Sequence, residues 1–277
     1  MPGKPGLRVN SHWRRPDDAL LAAFGAASPA QVADCMSRLG AMDSGIRPIW
    51  PNPRVIGAAL TVWCHAGDNL MVHKGLSLAV PGDIVVINTQ GAGNSGFGEL
   101  LATSAVKLGV RAVIVDGTVR DAEALEAMGL PVYARGLCPN GCNKDGPGEA
   151  GSIIACGGVA VRPGDVIVAD RDGVTVVPLE DAALIAELAA EQVTREQKRL
   201  GEIAKGVLVR PEIDEALRKL KARHDRLGCR RRPSRLSSSG GLACVAAPVA
   251  PRSAHHSCNP RGNYPFDKQA RSCPARC

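Results

Sequence analysis

Aromatic side chains are scarce in this 277-residue sequence, at 3% of the total. Ala, Val, Leu and Gly take their place, which suits an α/β body in which helices lie close against a sheet. No apolar stretch near the N-terminus precedes a cleavage site, and no run reaches the length of a membrane span. The expectation is a cytoplasmic protein with reduced thiols and no membrane partner. Acidic residues are nearly missing from the last fifty positions, where nine Arg or Lys face a single carboxylate, Asp267. The net +7 therefore belongs to residues 228–277, which carry +8, and the rest of the chain sums to −1. That distribution gives no reason to expect a nucleic-acid partner for the body.

With 45% hydrophobic content, the chain can bury one large core and carry an appendage. Patterning places the body over residues 1–227. Ser28 can cap a helix opened by Pro29, and Gly40 is positioned to stop it after Leu39. A strand-like run covers Val55 to Trp63, and PGDIVVIN from Pro81 to Asn88 reads as a turn feeding a buried strand. The same turn returns as PGDVIVAD from Pro163 to Asp170, followed by a strand from Val174 to Val177. Two such units predict paired strand layers in a single αββα sandwich rather than a plain βαβ series.

Between the two units the pattern predicts a helix from Glu99 to Leu108, and a strand from Ala112 to Val115 that ends at Asp116-Gly117. A helix around Asp121 to Met128 and a short strand from Val132 to Ala134 follow. A long amphipathic helix from about Glu180 to Leu200 completes the body. Beyond Leu227, RRRPSRLSSSGG opens a Pro-, Ser- and Arg-rich segment with too few large apolar residues to offset its ordering entropy, so disorder is expected there. Its five cysteines, Cys229, Cys244, Cys258, Cys273 and Cys277, are too irregularly spaced for a zinc module.

Gly91, Gly93 and Gly96 match GxGxxG after a strand, and Asp116 lies twenty residues beyond Gly96, as in a dinucleotide fingerprint. The helix begins only after Gly98, however, so the match floats ahead of the N-terminus that a pyrophosphate would need. The better use of the loop is to present the amides of Gly98, Leu100 and Leu101 to a small carboxylate. Glu99 sits there too, and after twenty intervening positions come Arg120 and Asp121, at a sheet edge where open α/β folds place ligands. Singly, each is an ordinary helix-end or ion-pair residue. Together, two carboxylates and a guanidinium suit a hard cation and an oxyanion. Cys138 and Cys142 form an isolated CxxxC, and His65 and His73 flank Asp68 and Asn69 where packing or a helix-end contact is expected rather than metal ligation.

GxGELLATSA from Gly96 to Ala105 and VDGxVRD from Val115 to Asp121 resemble the class II pyruvate aldolases that cleave 4-hydroxy-4-methyl-2-oxoglutarate and 4-carboxy-4-hydroxy-2-oxoadipate in aromatic acid catabolism. Their fold is shared with the regulator of ribonuclease E activity, and the resemblance spans about residues 15–227. It implies that Asp121 ligates Mg²⁺ or Mn²⁺ directly and that Glu99, where the family often has Asp, acts through metal-bound water. It further implies that Lys144, in CPNGCNKDG, approaches the distal carboxylate of the substrate. Glu196, in the TREQ segment, is then donated across a subunit interface of a homotrimer or homohexamer.

On that resemblance, Arg120 supplies a fixed positive donor to the enolate oxygen, and Glu99 and Glu196 hold a water that relays the C4 hydroxyl proton. Oxaloacetate decarboxylation passes through the same enolate and is implied as a side activity. Two other readings of the chain are a non-catalytic binding protein like the ribonuclease E regulator, and a class I aldolase in which Lys144 forms a Schiff base.

Overall fold

The computed structural model describes residues 4–51 and 53–220. Twelve strands and seven helices lie in this part of the chain. The first third holds β1 (Leu7–Val9), α1 (Asp18–Ala23), α2 (Pro29–Cys35), β2 (Arg47–Pro48), β3 (Val55–Cys64), α3 (Leu70–Leu76) and β4 (Asp83–Asn88). The middle holds β5 (Ser95–Phe97), α4 (Glu99–Lys107), β6 (Ala112–Val119), α5 (Ala122–Ala127), β7 (Val132–Leu137), β8 (Gly148–Ala150), β9 (Ile154–Cys156) and β10 (Val159–Val161). Then come β11 (Val166–Asp170), β12 (Gly173–Val177), α6 (Ala182–Ala204) and α7 (Pro211–Lys219).

Ten of these strands form one sheet organised around β3. On one side β3 pairs in parallel with β4, followed by β6 and β7, also parallel, and by β2, antiparallel to β7. On its other side the N-terminal half of β3 takes β11 and the C-terminal end takes β8, both antiparallel. The two PGD turns thus feed the two neighbours of β3, because Asp83 and Val166 both register opposite Ala58. Each turn uses a glycine in the left-handed region, Gly82 at φ +95° and Gly164 at φ +91°. In each, the following Asp accepts from the amide three residues back, Val80 for Asp83 and Arg162 for Asp165.

Period-two alternation sorts the strand side chains into separate cores. Val85, Ile87, Val113 and Val115 face one cluster, beneath α3 and α4, while their neighbours Ile84, Val86 and Ile114 face a second. Across that second cluster stand Ile167, Ala169, Val174 and Val176 of the β11–β12 hairpin. The hairpin's opposite face, Val166, Val168 and Val177, packs on α1, α2 and α6 in a third cluster. Helix, strand, strand and helix layers follow from these three cores, so the sandwich is the predicted αββα arrangement. The described chain up to Arg218 forms one compact unit. The predicted basic tail, with its five cysteines, lies outside the described residues.

Several boundaries differ from the sequence pattern. The helix opened by Pro29 has the Ser28–Gln31 capping box but stops at Cys35, not at Gly40. Ser37 and Arg38 adopt left-handed φ and turn the chain early. Strand β6 runs through Asp116-Gly117 to Val119, where its end pairs with β5 and β7, and Gly117 lies so close to Thr89 Oγ1 that a Cβ would overlap it. Strand β7 likewise continues to Leu137, past the predicted Ala134.

Candidate functional site

The extension of β6 delivers Arg120 and Asp121 to the C-terminal end of the sheet. Beside β6 lies the short parallel strand β5, which leads directly into α4. The chain therefore brings Glu99 and Asp121 together: the Glu99 amide donates to Asp121 Oδ2 at 3.0 Å. Arg120 Nε lies 3.5 Å from the same oxygen. Asp121 holds a left-handed backbone, φ +61°, at the N-cap of α5, which costs about 1 kcal/mol or more for a residue with a Cβ. The surrounding contacts must maintain it.

Gly98 makes this approach possible. A Cβ there would sit 2.7 Å from Asp121 Oδ2 and 2.9 Å from Arg120 Cγ, closer than atoms pack. Its φ of −163° is ordinary extended backbone, so the requirement is space and not conformation. No side chain caps α4. The first-turn amides of Leu100 and Leu101 have no intrahelical acceptor and remain donors for a ligand.

Gly98, Glu99, Leu100, Leu101, Arg120 and Lys144 line one cavity of about 110 Å³, and Asn69, His73, Ser95 and Phe97 complete its wall. Six of the predicted residues thus meet in one place, with Asp121 bonded to its edge. Glu196 is not among the lining residues. Its carboxylate accepts from Gln31 Nε2 at 2.5 Å and from Gln192 Nε2 at 2.7 Å, on the face of α6 that packs against α2. These hydrogen bonds, that from Gln31 first, hold it below the usual carboxylate range.

At Asn69 and His73 the sequence suggested only packing or a helix-end contact, whereas both line the cleft. Asn69 is the N-cap of α3 and His73 lies one turn further on, but nothing in the local pattern shows that they meet Lys144. Buried Asp68 makes the connection. Its Oδ1 accepts from Leu70 N at 2.8 Å, and its Oδ2 from Asp145 N at 2.7 Å and Gly146 N at 3.0 Å. The Asn69 amide also donates to Asn143 O, and the Asn143 amide to Gly67 O. The start of α3 and the Lys144 loop are consequently stitched together. His73 is held below its ordinary pKa, first by partial desolvation and then by the charge of Lys144.

Asp116 serves a different purpose from the one its spacing suggested. Its Oδ1 takes Arg135 Nε at 2.5 Å and its Oδ2 takes Gly157 N at 2.7 Å, so both oxygens already serve structural contacts. The nicotinamide-type reading of the glycine loop loses its acidic partner. The Cys142 thiol donates to Ser95 O at 3.2 Å, tying the Lys144 loop to β5. No described helix is long and apolar enough to cross a membrane.

A family model described as RraA-like, Aldolase/RraA, matches residues 29–176. A protein of Halalkalibacterium halodurans, provisionally named a 4-hydroxy-4-methyl-2-oxoglutarate aldolase, is 35% identical over 178 residues, 64% of this chain and 85% of that protein. Among solved structures, a Streptomyces coelicolor protein described as an unusual member of the RNase ES inhibitor RraA family superposes with a TM-score of 0.62 at 28% identity. That match covers 68% of this chain and 98% of the other. An uncharacterised Pseudomonas syringae protein superposes with a TM-score of 0.64 at 22% identity, over 70% and 92%, a likeness of fold.

Proposed function

This chain belongs to the RraA-like family, Aldolase/RraA, and from that membership we propose that its cleft catalyses metal-dependent retro-aldol cleavage of 4-hydroxy-4-methyl-2-oxoglutarate or 4-carboxy-4-hydroxy-2-oxoadipate. The products are pyruvate plus pyruvate or oxaloacetate, and oxaloacetate decarboxylation is a side activity. The observation that carries this reading is the Glu99–Asp121 hydrogen bond with Arg120 alongside, in a cleft whose remaining donors suit an anion.

The donor set fits Mg²⁺ or Mn²⁺. Among the described residues no three His, Cys, Asp or Glu side chains gather into a cage. An ion held through the single carboxylate of Asp121 would keep most of its waters, which is how Mg²⁺ commonly binds. The space left by the missing Cβ of Gly98 is what lets that carboxylate stand where it does. When bound, the metal supplies Lewis-acid polarisation of the 2-oxo acid.

Arg120 donates to the C2 oxygen, where negative charge gathers as the C3–C4 bond breaks. The amides of Leu100 and Leu101 orient the C1 carboxylate. Glu99, exposed at the first position of α4, accepts the C4 hydroxyl proton through a water as C4 becomes a carbonyl. The electron pair of the broken bond passes to the enolate, and the same relay returns a proton to C3 to give pyruvate.

Glu196 enters this scheme from a neighbouring subunit of a homotrimer or homohexamer. Two observations support that arrangement: Glu196 stands outside its own chain's cavity, and Leu100, at the cavity wall, is 81% exposed. A leucine so bare at the cleft wall gives up burial energy that a covering chain would restore.

Pyruvate release from both substrates, measured with and without chelator, tests the proposal. Activity lost in chelator and regained with Mg²⁺ or Mn²⁺ is expected. Activity that persists in chelator and is trapped by borohydride would instead make Lys144 a Schiff-base lysine. No turnover on either substrate would favour a second reading, an inhibitor-like binding protein, to which the resemblance to the RNase ES inhibitor family points.

A further inference from the structure

One buried side chain touches both motifs of the cleft without lining it. Thr89, the residue after β4, is 0% exposed and packs against β5 and β6 at once. Each of these strands carries an extra residue at the contact. Ser95 pairs with Thr118 and Phe97 with Val119, which leaves Gly96 as the surplus residue of β5. Val115 pairs with Ala134 and Thr118 with Gly136, which gives β6 one residue more than β7 at Asp116-Gly117. Bulges of this kind bend a strand and re-aim the side chains beyond them. Beyond Gly96 comes Glu99, and beyond Gly117 come Arg120 and Asp121.

The threonine fills the space that both glycines leave. A Cβ on Gly96 would lie 2.7 Å from Thr89 Cγ2, and one on Gly117 would overlap Thr89 Oγ1. Neither glycine has left-handed backbone, so the close approach of Thr89, and not conformation, is what excludes a side chain at both. The hydroxyl also donates to Asp116 O at 3.0 Å, at the bulge itself. The same carbonyl accepts from the amides of Thr89 and Gly91, and the Asp116 carboxylate is held by Arg135 and Gly157, so this bulge is fixed on main chain and side chain alike. Directly after the bulges the two strands are joined. The Arg120 amide donates to Phe97 O at 3.1 Å, and the Glu99 amide to Asp121 Oδ2.

We infer that Thr89 is a positioning residue of the cleft: its methyl sets the course of β5 at Gly96, its hydroxyl sets that of β6 at Gly117, and together they keep the Glu99–Asp121 hydrogen bond in register. Threonine fits this task because one Cβ carries both an apolar and a donating branch. The inference rests on the aldolase reading only for what the positioned carboxylate does, which is to hold a metal. The spacing of the two motifs does not depend on it.

Thr89→Val replaces the hydroxyl by a larger methyl that cannot donate, whereas Thr89→Ser keeps the hydroxyl. Residue-resolved hydrogen exchange on the full-length protein reads the Glu99 amide directly, with no need for metal or turnover. Relative to the amides of Ile87 and Val115 in the sheet core, exchange at Glu99 should quicken about tenfold in the valine variant and return close to wild type in the serine variant. Unchanged protection of Glu99 in the valine variant overturns the inference. So does a loss shared equally with the core, or one that serine repeats in full. A swap covers a valine variant that fails to fold. Gly117→Ala should unprotect the Glu99 amide, and adding Thr89→Ala should restore part of that protection, because the new methyl takes the room of the lost hydroxyl. No restoration also overturns the inference. Mn²⁺ affinity, measured by calorimetry, should weaken about tenfold in Thr89→Val, the scale on which groups behind a metal ligand act. The expected exchange results in a wild type that binds no Mn²⁺ would support the positioning role and count against the aldolase reading.

Discussion

The amide of Glu99 donates to Oδ2 of Asp121 at 3.0 Å, so two motifs far apart in the chain form one hydrogen-bonded unit. This bond fixes the carboxylate that the proposed metal would use, and Gly98 is the residue that leaves room for it. Gly98→Ala is expected to push Asp121 and Arg120 apart by steric contact alone. A misplacement near 1 Å at a reacting group costs about 10²-fold in rate. Turnover should fall on that scale while the melting temperature changes little. An alanine variant with normal kcat would show that the cleft tolerates the added methyl.

Arg120→Lys keeps the charge but loses the planar fork of donors. The expected increase in barrier is about 2–4 kcal/mol, the scale of one oxyanion donor. It should be seen mostly in kcat. Near-normal turnover in the lysine variant would make Arg120 a structural partner of Asp121 and nothing more.

The shared-site proposal predicts complementation. Asp121→Ala and Glu196→Ala chains are each expected to be inactive, and mixing them should restore part of the activity, because some interfaces then pair an intact Asp121 with an intact Glu196. Mixed oligomers that form, fold and remain inactive would exclude the arrangement.

Stability depends on a different charge pair. Arg15 reaches Asp83 through two nitrogens at 3.0 Å each, and the Asp83 side chain is 1% exposed. Removing the guanidinium leaves a buried carboxylate with only Val80 N as a donor. Arg15→Met should cost about 2–4 kcal/mol in urea unfolding, somewhat below the cost of breaking a fully buried pair because Arg15 is partly exposed. A change under about 1 kcal/mol would mean that water replaces the arginine.

Acid should expose the hydrogen bonds to Glu196. Gln31 first and then Gln192 hold this carboxylate below its ordinary value of 4.5. A depressed folded pKa contributes stability above the unfolded value and loses it as pH falls through the folded one. The wild type should therefore exceed Gln192→Leu in melting temperature near pH 7 by a small margin that shrinks below about pH 4. A margin that widens in acid would reverse the assigned sign.

The strands were legible in the sequence because their signal is local. Alternation along PGDIVVIN and PGDVIVAD needs only a period of two, and the repeated Pro-Gly-Asp turn made two strand layers readable before any contact was known. Glu99, Arg120 and Asp121 were legible for a related reason, since three charged identities at fixed spacing are rare by chance. The early end of α2 was not, because left-handed φ at Ser37 and Arg38 leaves no mark in residue type.

What the sequence determined by itself was the set of layers and the three charged residues of the signature. Lys144 was named with them through the resemblance, and only the tertiary structure decided that Asn69 and His73 join them. Asp116 had the right spacing for a ribose but is bound by Arg135 and Gly157. His73 and Lys144 are distant in the chain, and a buried carboxylate on Asp68 brings them to one wall. Periodicity reports which face of an element is apolar, since neighbouring residues share its geometry. Pairing between loops is set by backbone hydrogen bonds to whatever carboxylate the fold brings near, and no local pattern encodes that.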